Sequence, residues 1–207
     1  MKKIIILFVL SFICIMGANA QTRQYYTLSW DMGTPIGEFR SFAKNWSLYG
    51  GVFSGQIIVG KQCAIGFSFG YHKYYQNKGV ETFSPEEGTV ITAAAYNYVN
   101  DAPLTVGGYY HFTPNNPYIN VYAGLGIGLN YIAEHSLIQD MDLYDEQWAF
   151  IMAPEVGAFV RLGKKSPVAL NVSAKYNVSF NQYIHHLEKL SPYQTLTVGI
   201  GLSYILN

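Results

Sequence analysis

Between Ile119 and Tyr131 apolar and small or polar positions alternate without a break. Ile119, Val121, Ala123, Leu125, Ile127, Leu129 and Tyr131 share one face of an extended chain, and Asn120, Tyr122, Gly124, Gly126, Gly128 and Asn130 share the other. The same period of two runs through Tyr26 to Met32, Cys63 to His72, Val168 to Asn177 and Thr195 to Tyr204. Short connections at 60–62, 114–117 and 163–166 alternate with long ones at 34–45, 76–95, 132–147 and 181–192. The segment 89–100 also reads as a strand and would bring the count to nine. Taken as the upper, protruding part of a strand that continues through Leu104 to Thr113, it restores an even eight. The pattern therefore predicts an all-β fold, an eight-stranded antiparallel up-and-down transmembrane β-barrel.

The glycines at 124, 126 and 128 do not form a phosphate cradle. A dinucleotide loop needs a strand that ends in a tight turn before a helix, whereas here the alternation passes straight through the glycines. Their expected role is to leave room inside the barrel for bulky neighbours such as Tyr109, Tyr122, Gln56 and His72.

Alternation alone does not say which face is inside, so a water-soluble barrel with an apolar interior competes with a membrane barrel. Composition favours the second. The polar face is largely Gly, Ser, Thr and Asn with few charges, a poor coat for a soluble protein, and charged residues make up 13% of the chain against 16% aromatic. The apolar face ends in rings suited to membrane interfaces. Tyr110, Phe112 and Tyr204 are expected at one end, and Tyr71, Tyr131, Trp148 and Tyr176 at the other. No apolar run after Ala20 approaches the roughly 18 residues of a spanning helix. The barrel is thus expected to cross the membrane with its strands.

The first residues agree with that destination. Lys2 and Lys3, the apolar run Ile4 to Ile15 and the small-residue site Ala18-Asn19-Ala20 have the layout of a secretory signal peptide over 1–20, with a single barrel domain over 21–207. A lipid anchor on Cys14 is disfavoured because Ser11-Phe12-Ile13 lacks the small residues that precede a lipidated cysteine. Loss of the leader's two lysines leaves eleven basic residues against 13 acidic ones, with no basic patch for nucleic acid. Cys63 would then be the one cysteine, so no internal disulfide can form.

At this point the chain resembles the small eight-stranded outer-membrane β-barrel domain family of Gram-negative bacteria. The residues that carry the resemblance are "APLTVGGYYHF", the turn "TPNNP", "YINVYAGLGIGLNYI" and the final strand "TLTVGIGLSYIL". It implies a cell outer-membrane location, with short turns in the periplasm and long loops outside, and contacts with outer-membrane lipids and lipopolysaccharide. The motifs speak for the fold and for no particular activity, and the first functional reading is a structural or loop-mediated role toward an extracellular protein or ligand. A monomer without a cofactor is expected, and no enzyme.

The inward polar side chains are the first candidates for function: Asp31, Gln56, His72, His111, Asn120 and Arg161. Counting outward from the turn at 163–166 sets Glu155 opposite Lys175, both inward. An internal ion pair is expected there, because a charge in such an interior needs a partner. Its role is structural, with a gate as the alternative. In the outer loops His135, Ser136, Asp140, Asp142, Asp145, Glu146, His185, His186 and Glu188 supply the residue types of a lipid-modifying or proteolytic rim enzyme, but at no recognised spacing. "DMDLYDE" lacks the glycine turn and terminal glutamate of an EF-hand. A narrow passage for small molecules is the third reading.

Overall fold

The computed structural model describes residues 23–41, 43, 45–86, 89–138, 141–164, 166–180, 183–185, 188–190 and 192–206. The leader expected over 1–20 lies outside them. The strands are β1 (Gln24–Ile36), β2 (Gly50–Ile58), β3 (Cys63–Glu86), β4 (Thr89–His111), β5 (Ile119–Ile138), β6 (Met141–Arg161), β7 (Val168–Phe180), β8 (Tyr183–His185), β9 (Glu188–Leu190) and β10 (Tyr193–Leu206). Eight of them close into an antiparallel barrel in which every neighbour in space is a neighbour in the meander, and β10 returns to pair with β1 from Gln24↔Leu206 to Ile36↔Gln194. Strands β8 and β9 form a separate two-stranded sheet beyond the barrel.

Closure turns the period of two into an inside and an outside. Leu125, Ile127 and Leu129 are exposed, while Tyr122 and Asn130 of the same strand are buried. On β10, Leu196, Ile200 and Leu202 are exposed and Thr195, Thr197 and Ser203 are buried. Side chains that a soluble protein would hide thus form the exterior, and the hydroxyls and amides form the interior. Such an exterior is stable only against acyl chains.

The wall is uneven in height. Two segments expected as long loops, 76–95 and 132–147, are instead paired strand: β3 and β4 remain together up to Glu86↔Thr89, and β5 and β6 up to Ile138↔Met141. Polar composition makes these stretches look like loops, but cross-strand pairing satisfies their backbone groups whatever the side chains are. The β3 edge absorbs a register shift between Asn77 and Gly79, where Gly79 adopts φ 72° and its N–H donates to Asn77 Oδ1. Such left-handed geometry suits glycine. The expected continuation of 89–100 into the following strand is what β4 shows. The loop after β1 opens with a 3-10 turn, Gly37–Ser41, that folds back over the barrel mouth.

Candidate functional site

The barrel interior is layered. At the turn end, Tyr25, Tyr109, Tyr122, Phe159 and Ile205 form a buried cluster. Tyr25 stacks on Phe159 at 4.4 Å and Tyr122 on Phe159 at 4.9 Å. His111 joins this stack, and the Asn120 amide lies 3.0 Å from the Tyr25 hydroxyl and 2.7 Å from His111 Nδ1. At the opposite end Phe39, Tyr74, Val99, Ile132 and Tyr193 form a second buried cluster. Phe39 comes from the loop, is 2% exposed and meets the Tyr193 ring at 4.2 Å.

Between the two aromatic layers lies a polar band. Lys175 Nζ is 3.5 Å from Glu155 Oε2 and donates to Ser68 Oγ at 3.3 Å, while the Tyr122 hydroxyl donates to Glu155 Oε1 at 2.8 Å. A second group brings together Asp31 and His72, both expected inward, with Asp101, which was not among the candidates. The His72 ring sits between Asp31 (Nε2 to Oδ2, 3.9 Å) and Asp101 (Nδ1 to Oδ1, 3.4 Å), Ser29 donates to Asp31 at 2.6 Å, and Asn130 donates to Ser179 at 3.1 Å. These side chains come from β1, β3, β4, β5 and β7, so the band ties strands that are not neighbours. Buried ions held in this way have their desolvation offset by partners.

Of the remaining inward candidates, Gln56 is buried and Arg161 is half-buried near the last short turn. The glycines do make the room expected of them at Gly124, where an added Cβ would lie 2.2 Å from Tyr109 Cδ1.

On the outside, Tyr71, Tyr110, Phe112, Trp148 and Tyr204 are exposed, and Tyr131 and Tyr176 are half-exposed. Trp30 is exposed as well and pairs with Gly51, which pairs with Tyr71.

Beyond these rings the outer wall carries residues expected in loops. His135 stands on β5, stacked on Tyr98 at 4.3 Å and against Tyr144 at 4.6 Å. Asp142, Asp145 and Glu146 stand on β6, and His185 and Glu188 are paired across β8 and β9. The Tyr131 and Tyr144 hydroxyls donate to Glu146, and those bonds hold its carboxyl below the ordinary range. Burial, with Asp145 opposite, pushes the Glu134 carboxyl up to about 9. Asp140 and His186 lie outside the described residues.

No family model matches the sequence, and no curated protein matches it. Among solved structures the chain is similar to Ail, the attachment invasion locus protein of Yersinia pestis, crystallised with the heparin analogue sucrose octasulfate, with a TM-score of 0.51 and 11% identity over 89% of this chain and 97% of that one. It is also similar to a major outer membrane protein from Thermus thermophilus, with a TM-score of 0.52 and 12% identity over 88% of this chain and 99% of that one. At such identities the likeness speaks for the fold. That fold is the eight-stranded outer-membrane β-barrel, and the bilayer in which barrels of this kind reside is the outer membrane.

Proposed function

We propose that the chain is a non-enzymatic integral outer-membrane protein whose barrel anchors a raised outer wall, formed by β3 to β6, at the cell surface. The observation that carries this reading is the layered interior. Aromatic side chains close the lumen at both ends, and between them the ions and amides bond to one another across the barrel. An eight-stranded barrel leaves little more space than its side chains need. The lumen therefore serves as a core, and contacts with partners fall to the exterior and the raised wall. In this reading Tyr71, Tyr131, Trp148 and Tyr176 belong to the outer interface of the bilayer, and Tyr110, Phe112 and Tyr204 to the periplasmic one. The segment 1–20 is the leader that sends the chain across the inner membrane.

The test is reconstitution of the full mature chain in planar bilayers, with gel mobility compared before and after boiling. Heat-dependent mobility together with no sustained conductance supports a closed anchor. A steady ohmic pore would overturn it.

A further inference from the structure

The outward face of the raised wall carries a ring on each of four consecutive strands, paired side by side: Tyr75 on β3 pairs with Tyr98 on β4, Tyr98 with His135 on β5, and His135 with Tyr144 on β6. At the β3 end of this row a cavity of about 470 Å³ opens to the outside, lined by Tyr49, Lys73, Tyr75, Tyr96 and Tyr98. Tyr49 is tied there by its carbonyl, which accepts from the Lys73 backbone N–H at 2.9 Å, and the Lys73 ammonium lies 4.7 Å from the centre of the Tyr98 ring. Tyr49 is 67% exposed, Tyr75 47% and Tyr96 48%.

We propose that this pocket binds the phosphorylated sugar headgroup of an outer-leaflet glycolipid of the lipopolysaccharide class. The inference rests on the outer-membrane placement argued above, and three features of the wall select this occupant. The first is height. Lys73 and Tyr75 follow Tyr71 of the expected girdle by two and four residues, about 7 and 14 Å along the strand at the usual rise. The pocket thus continues the lipid-facing surface upward into the headgroup layer, with its mouth toward the surrounding lipids. The second is shape and surface. The cavity is of a size that takes a small ligand, and flat tyrosine faces match the apolar C–H faces of pyranose rings while their hydroxyls meet the ring substituents. An acyl chain would bury those hydroxyls without partners. The third is charge. Lys73 is the cation at the pocket wall, placed over the Tyr98 ring, and a sugar phosphate is the anion that complements it.

The test uses the full mature chain refolded in detergent. Binding is followed by the anisotropy of a fluorescent lipopolysaccharide, with charge-matched phosphatidylglycerol, dephosphorylated lipopolysaccharide and the soluble deacylated core saccharide as competitors. Wild type is expected to prefer lipopolysaccharide over phosphatidylglycerol by about tenfold or more, a difference of about 1.4 kcal/mol. Tyr49→Ala and Tyr75→Ala are each expected to weaken binding about threefold to tenfold through loss of a stacking face. Lys73→Met should weaken binding of the phosphorylated glycolipid by about fivefold and leave the dephosphorylated one unchanged. Tyr204→Leu, at the far interface, should change neither. Should Tyr75→Ala fail to fold, Tyr49→Ala decides, since its exposed ring carries little of the fold.

Equal binding of phosphatidylglycerol, unchanged binding in the pocket variants, or failure of the soluble saccharide to compete even in large excess would each overturn the proposal while leaving a membrane-inserted barrel intact. A chain that does not insert into bilayers would overturn both readings.

Discussion

Lys175 Nζ and Glu155 Oε2 lie 3.5 Å apart inside the barrel, directly across the β6–β7 ladder from one another. Their carboxylate and amine also hold Tyr122 and Ser68, so the pair links four strands through four side chains. Removing one member leaves the other charge buried and unpaired, whereas removing both removes the burden as well. Lys175→Met is expected to destabilise the folded barrel by about 3–5 kcal/mol, and Lys175→Met with Glu155→Leu by much less. Urea unfolding of the refolded variants, read by the heat-sensitive gel shift, measures both; equal losses would remove the pair from the account.

The loop residue Phe39 is the lid of the upper aromatic layer, packed on Tyr193 and edge-on to Tyr74 at 6.1 Å. Phe39→Ala takes a large ring out of a buried cluster and is expected to lower stability by about 3 kcal/mol. With the lower aromatic layer and the polar band intact, it should leave the entry of small solutes into liposomes, read by swelling, unchanged. A rise in permeability would mean that the lower layer does not close the lumen.

How much of this was legible in the sequence depends on how local the cause is. Strand identity follows from neighbours two residues apart, as in Gly124, Leu125 and Gly126, because pleating forces alternate side chains to opposite faces; the inside-outside sense needed composition as well, and the count of eight needed the even number usual in such barrels. The register of β6 on β7 follows by counting from the turn at 163–166. The raised wall was hidden because Asn77 and Gly79 are turn-formers, and only their pairing with Tyr96 and Ala95 across the ladder makes them strand. The His72 cluster was hidden for a different reason: His72 touches Asp101 on the next strand but Asp31 two strands away, across a lumen whose geometry exists only after closure. Phe39 lies in a loop, and nothing along the chain says that the loop folds inward.

Gly124 is a site where a methyl group should be felt. An added Cβ would lie 2.2 Å from Tyr109 Cδ1 and 2.8 Å from the Gly108 carbonyl oxygen. Gly124→Ala is expected to destabilise the barrel by about 1–3 kcal/mol, the usual scale of overpacking. The loss should shrink in a Tyr109→Ala background. A double-mutant cycle of unfolding free energies checks this, and additive losses would mean that the ring and the glycine are not coupled.

The raised wall should carry a pH signature. The Glu134 carboxyl is raised from 4.5 to about 9 by burial and then by Asp145, so between those values the folded chain holds a proton that the unfolded chain releases. Stability attributable to this group is therefore complete below about pH 4.5 and declines as pH rises toward 9. Glu134→Gln, neutral throughout, should flatten that part of the profile. Unfolding midpoints of wild type and variant at about pH 5, 7 and 9 provide the comparison, and parallel profiles would dismiss the assignment.

The claim beneath all of this is that the apolar row faces acyl chains and the small polar row faces the lumen. Its most direct test is oxygen accessibility of single nitroxide-labelled cysteines on β10, in a Cys63→Ser background reconstituted in bilayers. The account predicts high oxygen exposure at Ile200 and Leu202 and low exposure at Thr197 and Ser203, a period of two along one strand. Low oxygen exposure at Ile200 and Leu202, with a water-soluble nickel chelate reaching Thr197 and Ser203 instead, would contradict it.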